Sequence, residues 1–388
     1  MNAIGNNLIK KDAWIMALFL MVLVLLSGCS IDMNQFVTLT PVPSSVTSPD
    51  TSSTTVPQQL GSSGSPAPTN VKIPITWGNF GLSGKLVFIS GGKQPYSITL
   101  TIQVINLTNG EISTLYQAPD NSWINSITIS PDNKQLVMSY SPPSGSAALY
   151  LMPLDGSQAP QLLFPTSVSN AEYYQPDWSP DGNYIYFSQV THSMTPKPGQ
   201  QNSDFDLYRI AYPGGLPEKI VSQAFWPVVS VNSKRIAYVT IDPIDGTNKL
   251  FLADQDGSNA QAVVMTGKDI PYYIDAPIFS PDGQSITFSA LSSVQSSSPT
   301  WLEKILGVTV AFAHSIPSDW WTVPLVGGVP TQITHLQTTG LFASVSPDKK
   351  YIACNSGIGL FVMNPDGTGL TLLVNDSGGV PGTVTWIP

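Results

Sequence analysis

The sequence predicts an all-β fold, a six-bladed β-propeller of four-stranded blades closed by its own C-terminal strand. Three observations carry that expectation. A short turn motif recurs with the same flanks in ISPDNKQLVMS (129–139), PDWSPDGNYIYFS (176–188), FSPDGQSITFS (279–289) and VSPDKKYIACNS (345–356). A second hairpin unit, centred on Gly, follows these copies. The last residues of the chain match a strand that the first repeat lacks.

The motif is a hairpin turn. In Ser179-Pro180-Asp181-Gly182, Ser suits the first turn position, Pro presets φ at the second, and Gly suits the fourth of a type I turn. The NYIYFS that follows alternates as a half-buried strand should, and the YYQPDW before it supplies the partner strand. The second unit appears as TIQVINLTNGEISTLY (101–116), ALYLMPLDGSQAPQLL (148–163), DLYRIAYPGGLPEKI (206–220), KLFLADQDGSNAQAVV (249–264), WWTVPLVGGVPTQIT (320–334) and GLFVMNPDGTGLTLLV (359–374). Each has an apolar strand, a Gly turn and a shorter, more polar strand; Asp-Gly, Asn-Gly and Gly-Gly supply the positive φ of tight hairpins. Four short strands returning every ~40–50 residues mark a propeller. A β-sandwich would not repeat its turn residues in phase.

The count is six blades. Blade 4, FWPVVSVNSKRIAYVT (225–240), carries Val231-Asn232 where the others carry Pro-Asp. Blade 1 begins at GKLVFIS (84–90), which matches a second strand; GTVTWIP (382–388), with Trp386-Ile387-Pro388 aligned on Trp178-Ser179-Pro180, is expected to supply its inner strand. Closure of this kind removes two sheet edges.

With these W-S-P-D-G and I-y-x-x-d-x-d-G patterns, the chain after Lys72 resembles the TolB-type (WD40-like, PD40) propeller repeat. The resemblance implies a protein-interaction role, as in periplasmic TolB proteins that dock a peptidoglycan-associated lipoprotein. Here a tether stands where those proteins have an α/β domain, so that partnership is not carried over.

The chain divides into 1–28, 29–75 and 76–388. Lys10 and Lys11 precede an uncharged apolar run from Ala13 to Leu26, which as a helix is too short for the ~30 Å hydrocarbon core. Leu26-Ser27-Gly28-Cys29 resembles the lipobox of bacterial lipoprotein precursors, which implies cleavage before Cys29, a lipid on its thiol and a place in the cell envelope outside the cytoplasm. The Ser/Thr/Pro-rich residues that follow cannot bury enough apolar surface to order themselves, and read as a disordered tether. One other cysteine, Cys354, leaves no internal disulfide and reads as a small core residue. The net charge of −9 speaks against a nucleic-acid partner.

The Ser-Pro-Asp and Gly turns fall at one end of the propeller. The other connections, with all the unusual sequence, fall at the opposite end. They include the insert THSMTPKPGQQNSD (191–204) and a longer one at 291–318 in which Trp301, Ile305, Val308 and Phe312 recur at helical spacing. Such a helix serves as a lid, a docking or membrane-touching element, or packs back on the propeller. The same end receives the starts of the six inner strands. There Asn125, Tyr173, Tyr174, Phe225, Trp226, Asp275 and Phe342, with Gln175, are the candidate binding residues, because aromatics with a few polar groups suit a ligand or partner mouth.

Catalytic chemistry is not legible. No G-x-S-x-G elbow occurs, so the hydrolase domain that accompanies some propellers has no signature. His192, His314 and His335 all map to the insert-bearing end, but no two stand at metal-ligand spacing. Asp254-Gln255-Asp256-Gly257 reads as a turn rather than a calcium loop. The expectation is a monomeric, lipid-anchored binding module for an extracytoplasmic protein or ligand, without cofactor, metal or catalytic residue. The alternatives are a ligand- or glycan-binding sensor or solute-capture protein, and a propeller hydrolase or lyase with its site in the channel.

Overall fold

The computed structural model describes residues 71–94, 97–166, 168, 170–193, 203–242, 247–291, 317–375 and 382–388. Cys29, the apolar run before it, most of the 191–204 insert and the helix expected around Trp301 lie outside these residues. Six antiparallel sheets form the blades, and the one helical element among the described residues is a 3-10 turn at Gly78–Phe80. In blades 2 to 6 the strands run from inside to outside in chain order. Their inner strands are Trp123–Ile129, Ala171–Trp178, Ala224–Val229, Tyr272–Phe279 and Phe342–Val345.

Closure occurs as the sequence predicts. Val384–Ile387 pairs antiparallel with Lys85–Gln94, in register from Lys85↔Ile387 to Phe88↔Val384. It packs on the inner strands of both blade 6 and blade 2, completing a ring in which every inner strand touches the next. Trp386 and Val384 are buried in the core shared by blades 1 and 6. Gly382 is required at this seam, because a Cβ there would lie 2.6 Å from that of Ile89.

The recurring turns show why their residues recur. The backbone carbonyls of Ser130, Ser179, Ser280 and Ser346 accept the N–H three residues on, at 2.8–2.9 Å. That third residue (Asn133, Gly182, Gly283, Lys349) has φ between 57° and 72°. In each copy the Ser hydroxyl donates to the Asp two residues later at 2.6–2.7 Å and accepts the N–H five residues later at 2.9 Å. These bonds hold Asp132, Asp181, Asp282 and Asp348 below the usual carboxylate range, the Ser hydroxyl first among the causes. In blade 4 Ser233 takes over: its hydroxyl lies 2.9 Å from Ser230 Oγ, which also accepts the N–H groups of Asn232 and Ser233. Asn232, freed from that task, accepts Lys349 Nζ of blade 6 at 2.5 Å.

Three inner strands contain proline, which cannot donate to a ladder. Each is accommodated in a bulge: Gln175-Pro176, Trp226-Pro227 and Ala276-Pro277 each fall in a register shift against the second strand. The residue before each proline is left-handed, with φ of 47°, 58° and 43° for Gln175, Trp226 and Ala276. Serines of the preceding blade meet two of the displaced amides: Gln175 N–H donates to Ser126 Oγ at 3.1 Å and Trp226 N–H to Ser188 Oγ at 2.9 Å.

Blade 1 has a fifth strand. Val71–Lys72, a few residues ahead of the boundary read at 76, pairs with the outer strand Glu111–Gln117. From there residues 73–83 form a strap to blade 6. The Trp77 indole is buried and donates to Leu107 O at 2.8 Å; Thr76 Oγ1 donates to Leu372 O at 2.9 Å. Tyr351 Oη donates to Phe80 O at 2.9 Å, and the Phe80 and Tyr351 rings meet edge to face at 5.3 Å. The indole N–H of the closing strand's Trp386 donates to Ser83 O at 3.0 Å.

Candidate functional site: the channel mouth

The inner strands all start at the end that carries the inserts. Four residues before the Ser of each turn, or its equivalent, stands one position per blade: Thr383, Ser126, Gln175, Trp226, Ala276 and Phe342 for blades 1 to 6. Trp226 and Phe342 belong to blades 4 and 6, yet their ring centroids are 5.9 Å apart. They meet across the axis side of blade 5, whose residue at this level is the small Ala276. Side chains at this position therefore fill the channel, and the two aromatics floor its mouth. Both are buried, in one cluster with Phe225 and with Tyr174 packed against it. Phe225 touches Trp226 at 6.5 Å and Phe205 at 6.0 Å.

Four of the seven candidates thus come together: Tyr174, Phe225, Trp226 and Phe342. The other three stand apart. Tyr173 is buried in a separate core between blades 2 and 3, edge-on to Phe164 at 5.2 Å and to Phe187 at 5.9 Å. Asn125 ties its own blade together, donating to Ser139 Oγ and Ser141 Oγ at 3.3 and 3.2 Å. Asp275 is 1 % exposed, between the left-handed Tyr273 and Ala276, and burial pushes its carboxyl up to about 8 against a hydrogen bond from Ser289.

The other half of the wall is polar. Asp177 Oδ2 of blade 3 accepts the Val229 N–H of blade 4 at 2.7 Å, and Thr128 of blade 2 approaches its other oxygen at 3.5 Å. Burial pushes Asp177 up to about 7, although these hydrogen bonds favour its ionised form. At the boundary with blade 1, Ser344 Oγ of blade 6 accepts the Trp386 N–H at 3.0 Å, and Thr383 Oγ1 of blade 1 accepts the Ile127 N–H at 2.5 Å. Gln175 Oε1, buried at the same level, has no hydrogen-bond partner among the described residues.

On the rim, blade 3 carries a chain of polar groups. Glu172 Oε2 accepts Tyr174 Oη at 2.6 Å and lies 3.0 Å from His192 Nε2, while His192 Nδ1 lies 2.9 Å from Ser203 Oγ. Burial pushes Glu172 up, but the bonds from His192 and Tyr174 outweigh it and hold the carboxyl below its ordinary value. His335 lies on the same end, 3.0 Å from Gln332 Nε2; His314 lies outside the described residues. Among the described residues no cluster of three metal-ligating side chains forms. Asp254 to Gly257 is a turn, with the Gly257 N–H on Asp254 O at 2.9 Å. Cys354 is fully buried, and burial pushes its thiol up to about 12.

No family model matches the sequence, and no curated protein matches it. Solved structures do. TolB from Acinetobacter baumannii superposes with a TM-score of 0.57 at 16 % identity, over 79 % of this chain and 67 % of that one. The putative TolB from Agrobacterium tumefaciens gives 0.52 at 18 % identity, over 77 % and 99 %. The fold is that of a TolB-type β-propeller. A chain of the nidogen/laminin complex has the same architecture, with a TM-score of 0.54 at 9 % identity over 78 % of this chain and 98 % of that one.

Sequence reasoning missed several features of this TolB-type propeller. Trp123 and Tyr272, at the first residues of two inner strands, are 40 % and 42 % exposed at the mouth. Their signal is an aromatic seven or eight residues before the turn Ser, ahead of the positions that hold the candidate residues. The Glu172–His192–Ser203 chain has no sequence signal, since hairpin register alone brings His192 opposite Ser203.

Proposed function

We propose that this chain is a lipid-anchored, extracytoplasmic binding module that docks another protein on the mouth of its channel. The observation that carries the reading is the difference between the two ends. At the turn end the repeated Asp side chains are occupied by their own Ser hydroxyls and backbone amides. The exposed aliphatics there include Leu216 and Val231 on separate turns, and Val326 and Val329 together on a third. At the mouth, exposed Trp123 and Tyr272 stand above a floor of Trp226 and Phe342, beside a polar arc. Large exposed aromatics around a shallow apolar floor are the usual core of a protein interface. The anchor rests on Leu26-Ser27-Gly28-Cys29.

A photo-crosslinking residue placed at Trp123 or Tyr272 is expected to capture a partner in intact cells, and one at Asn183 or Lys350 is not. Capture confined to the turn-end positions would overturn the assignment. For the anchor, Cys29→Ala is expected to abolish lipid labelling and release the protein from the membrane fraction. Labelling equal to wild type would refute it.

A further inference from the structure

Three strand ends of blade 3 meet on the rim. Glu172 lies near the start of the inner strand Ala171–Trp178, His192 ends the second strand Tyr184–His192, and Ser203 opens the third strand Ser203–Ala211. His192 and Ser203 are direct cross-strand partners, and Thr191 pairs with Ala171 in the other ladder. The register therefore fixes the order Ser–His–Glu, with contacts of 2.9 and 3.0 Å.

The proton positions follow from the groups themselves. An ionised carboxylate only accepts, so His192 Nε2 carries the proton and donates to Glu172. In the neutral ring Nδ1 then holds the lone pair, and Ser203 Oγ–H donates to it. Glu172 is fixed in turn by Tyr174 Oη at 2.6 Å. The His192 side chain is 48 % exposed, so the chain opens to solvent. A hydroxyl within reach of a base, with the base oriented by a third group, is the arrangement that activates a nucleophile.

We propose that Ser203 is an activated nucleophile at the channel mouth, with His192 as its general base and Glu172 as the residue that positions the imidazole, and that it acts on carboxylic esters. Ser203 Oγ bonds to the ester carbonyl carbon while its proton passes to His192 Nδ1. The tetrahedral adduct expels the alcohol, which takes that proton, leaving an acyl-Ser203. Water, deprotonated by the same nitrogen, adds to the acyl carbon. Collapse releases the carboxylic acid and returns the proton to Ser203. Esters, whose leaving groups are better than those of amides, are the class within reach of a solvent-open site. This goes beyond the docking role and does not depend on it.

The test treats the folded propeller with a fluorophosphonate ester and with p-nitrophenyl acetate. The expected result is one phosphonyl adduct on the peptide containing Ser203, absent in Ser203→Ala. The labelling rate is expected to fall at least ~100-fold in His192→Asn, as removal of a general base requires. Glu172→Gln is expected to lower the rate and shift its pH profile with the melting transition retained, which a merely structural role would not do. The adduct is read on the wild-type protein, so the result does not hinge on any variant folding. No adduct at Ser203, or labelling undiminished by His192→Asn, would overturn the proposal.

Discussion

Blades 1 to 3 and blades 4 to 6 solve one problem at one backbone position in opposite ways. At the channel level four residues before the turn, the first half offers Thr383, Ser126 and Gln175; the second offers Trp226, Ala276 and Phe342. In the polar half, hydroxyls reach across blade boundaries to amides that face the channel: Ser126 to Gln175 N, and Thr383 to Ile127 N. In the apolar half, side chains of blades 4 and 6 meet across blade 5, whose residue at this level is small. An amide shut off from water needs a protein acceptor. A channel filled by aromatic rings gains apolar burial instead. The asymmetry turns a six-fold repeat into a mouth with two distinct sides.

The largest effect tests the seam, which lies at the edge of the polar half. Deletion of Gly382 to Pro388 strips blade 1 of its inner strand and removes Trp386. The truncated propeller is expected to lose its cooperative thermal transition and aggregate; an unchanged transition would place the closing strand elsewhere. Next come paired substitutions at one level. Trp226→Ala should cost about 3–5 kcal/mol, the range for truncating a buried aromatic. Ser126→Ala, which leaves the Gln175 amide without its acceptor, should cost about 1–3 kcal/mol. Chemical denaturation of the two variants checks the order, and equal costs would dissolve the comparison.

A pH-dependent effect concerns the buried acids, one on each side. Burial pushes Asp177 and Asp275 up to about 7 and about 8, above the ordinary 3.8. Between pH ~4 and ~8 the native state therefore holds more protons than the unfolded chain, and these groups make stability fall as pH rises. Asp275→Asn is expected to leave the melting temperature unchanged near pH 4 and to raise it near pH 8, where the unfolded chain's carboxyl is ionised and the buried one resists ionisation. A gain of equal size at both pH values would refute the linkage. Asp177→Asn should gain less, because it disturbs the acceptor of the Val229 N–H.

The architecture was legible because its signal is repeated. Each Ser-Pro-Asp turn is set by local geometry, so four copies testify to one fold, and the orphan strand GTVTWIP could be matched to the orphan GKLVFIS. The floor of the mouth was half legible. Trp226 and Phe342 could be named as residues of interest, but their meeting depends on Ala276 in the blade between them, a non-local condition no window displays. Tyr173 and Trp226 lie in equivalent strands that share a bulge, but they stand six and four residues before the turn Ser, and the one packs in the core while the other lines the channel. The pre-proline positions, Gln175, Trp226 and Ala276, were visible as X-Pro pairs, but their left-handed φ was not.

The strap from Val71 to Ser83 has a mechanical consequence. Tension along the residues that precede it enters the molecule at the outer edge of blade 1. It meets the buried Trp77 before it meets the seam. The Val71–Lys72 pairing is only two residues long and peels easily, whereas dislodging Trp77 requires an indole to leave the core between blades 1 and 6. The strap thus acts as a strain relief: a pull applied at Val71 loads the short pairing and then the buried indole before it reaches the ring closure.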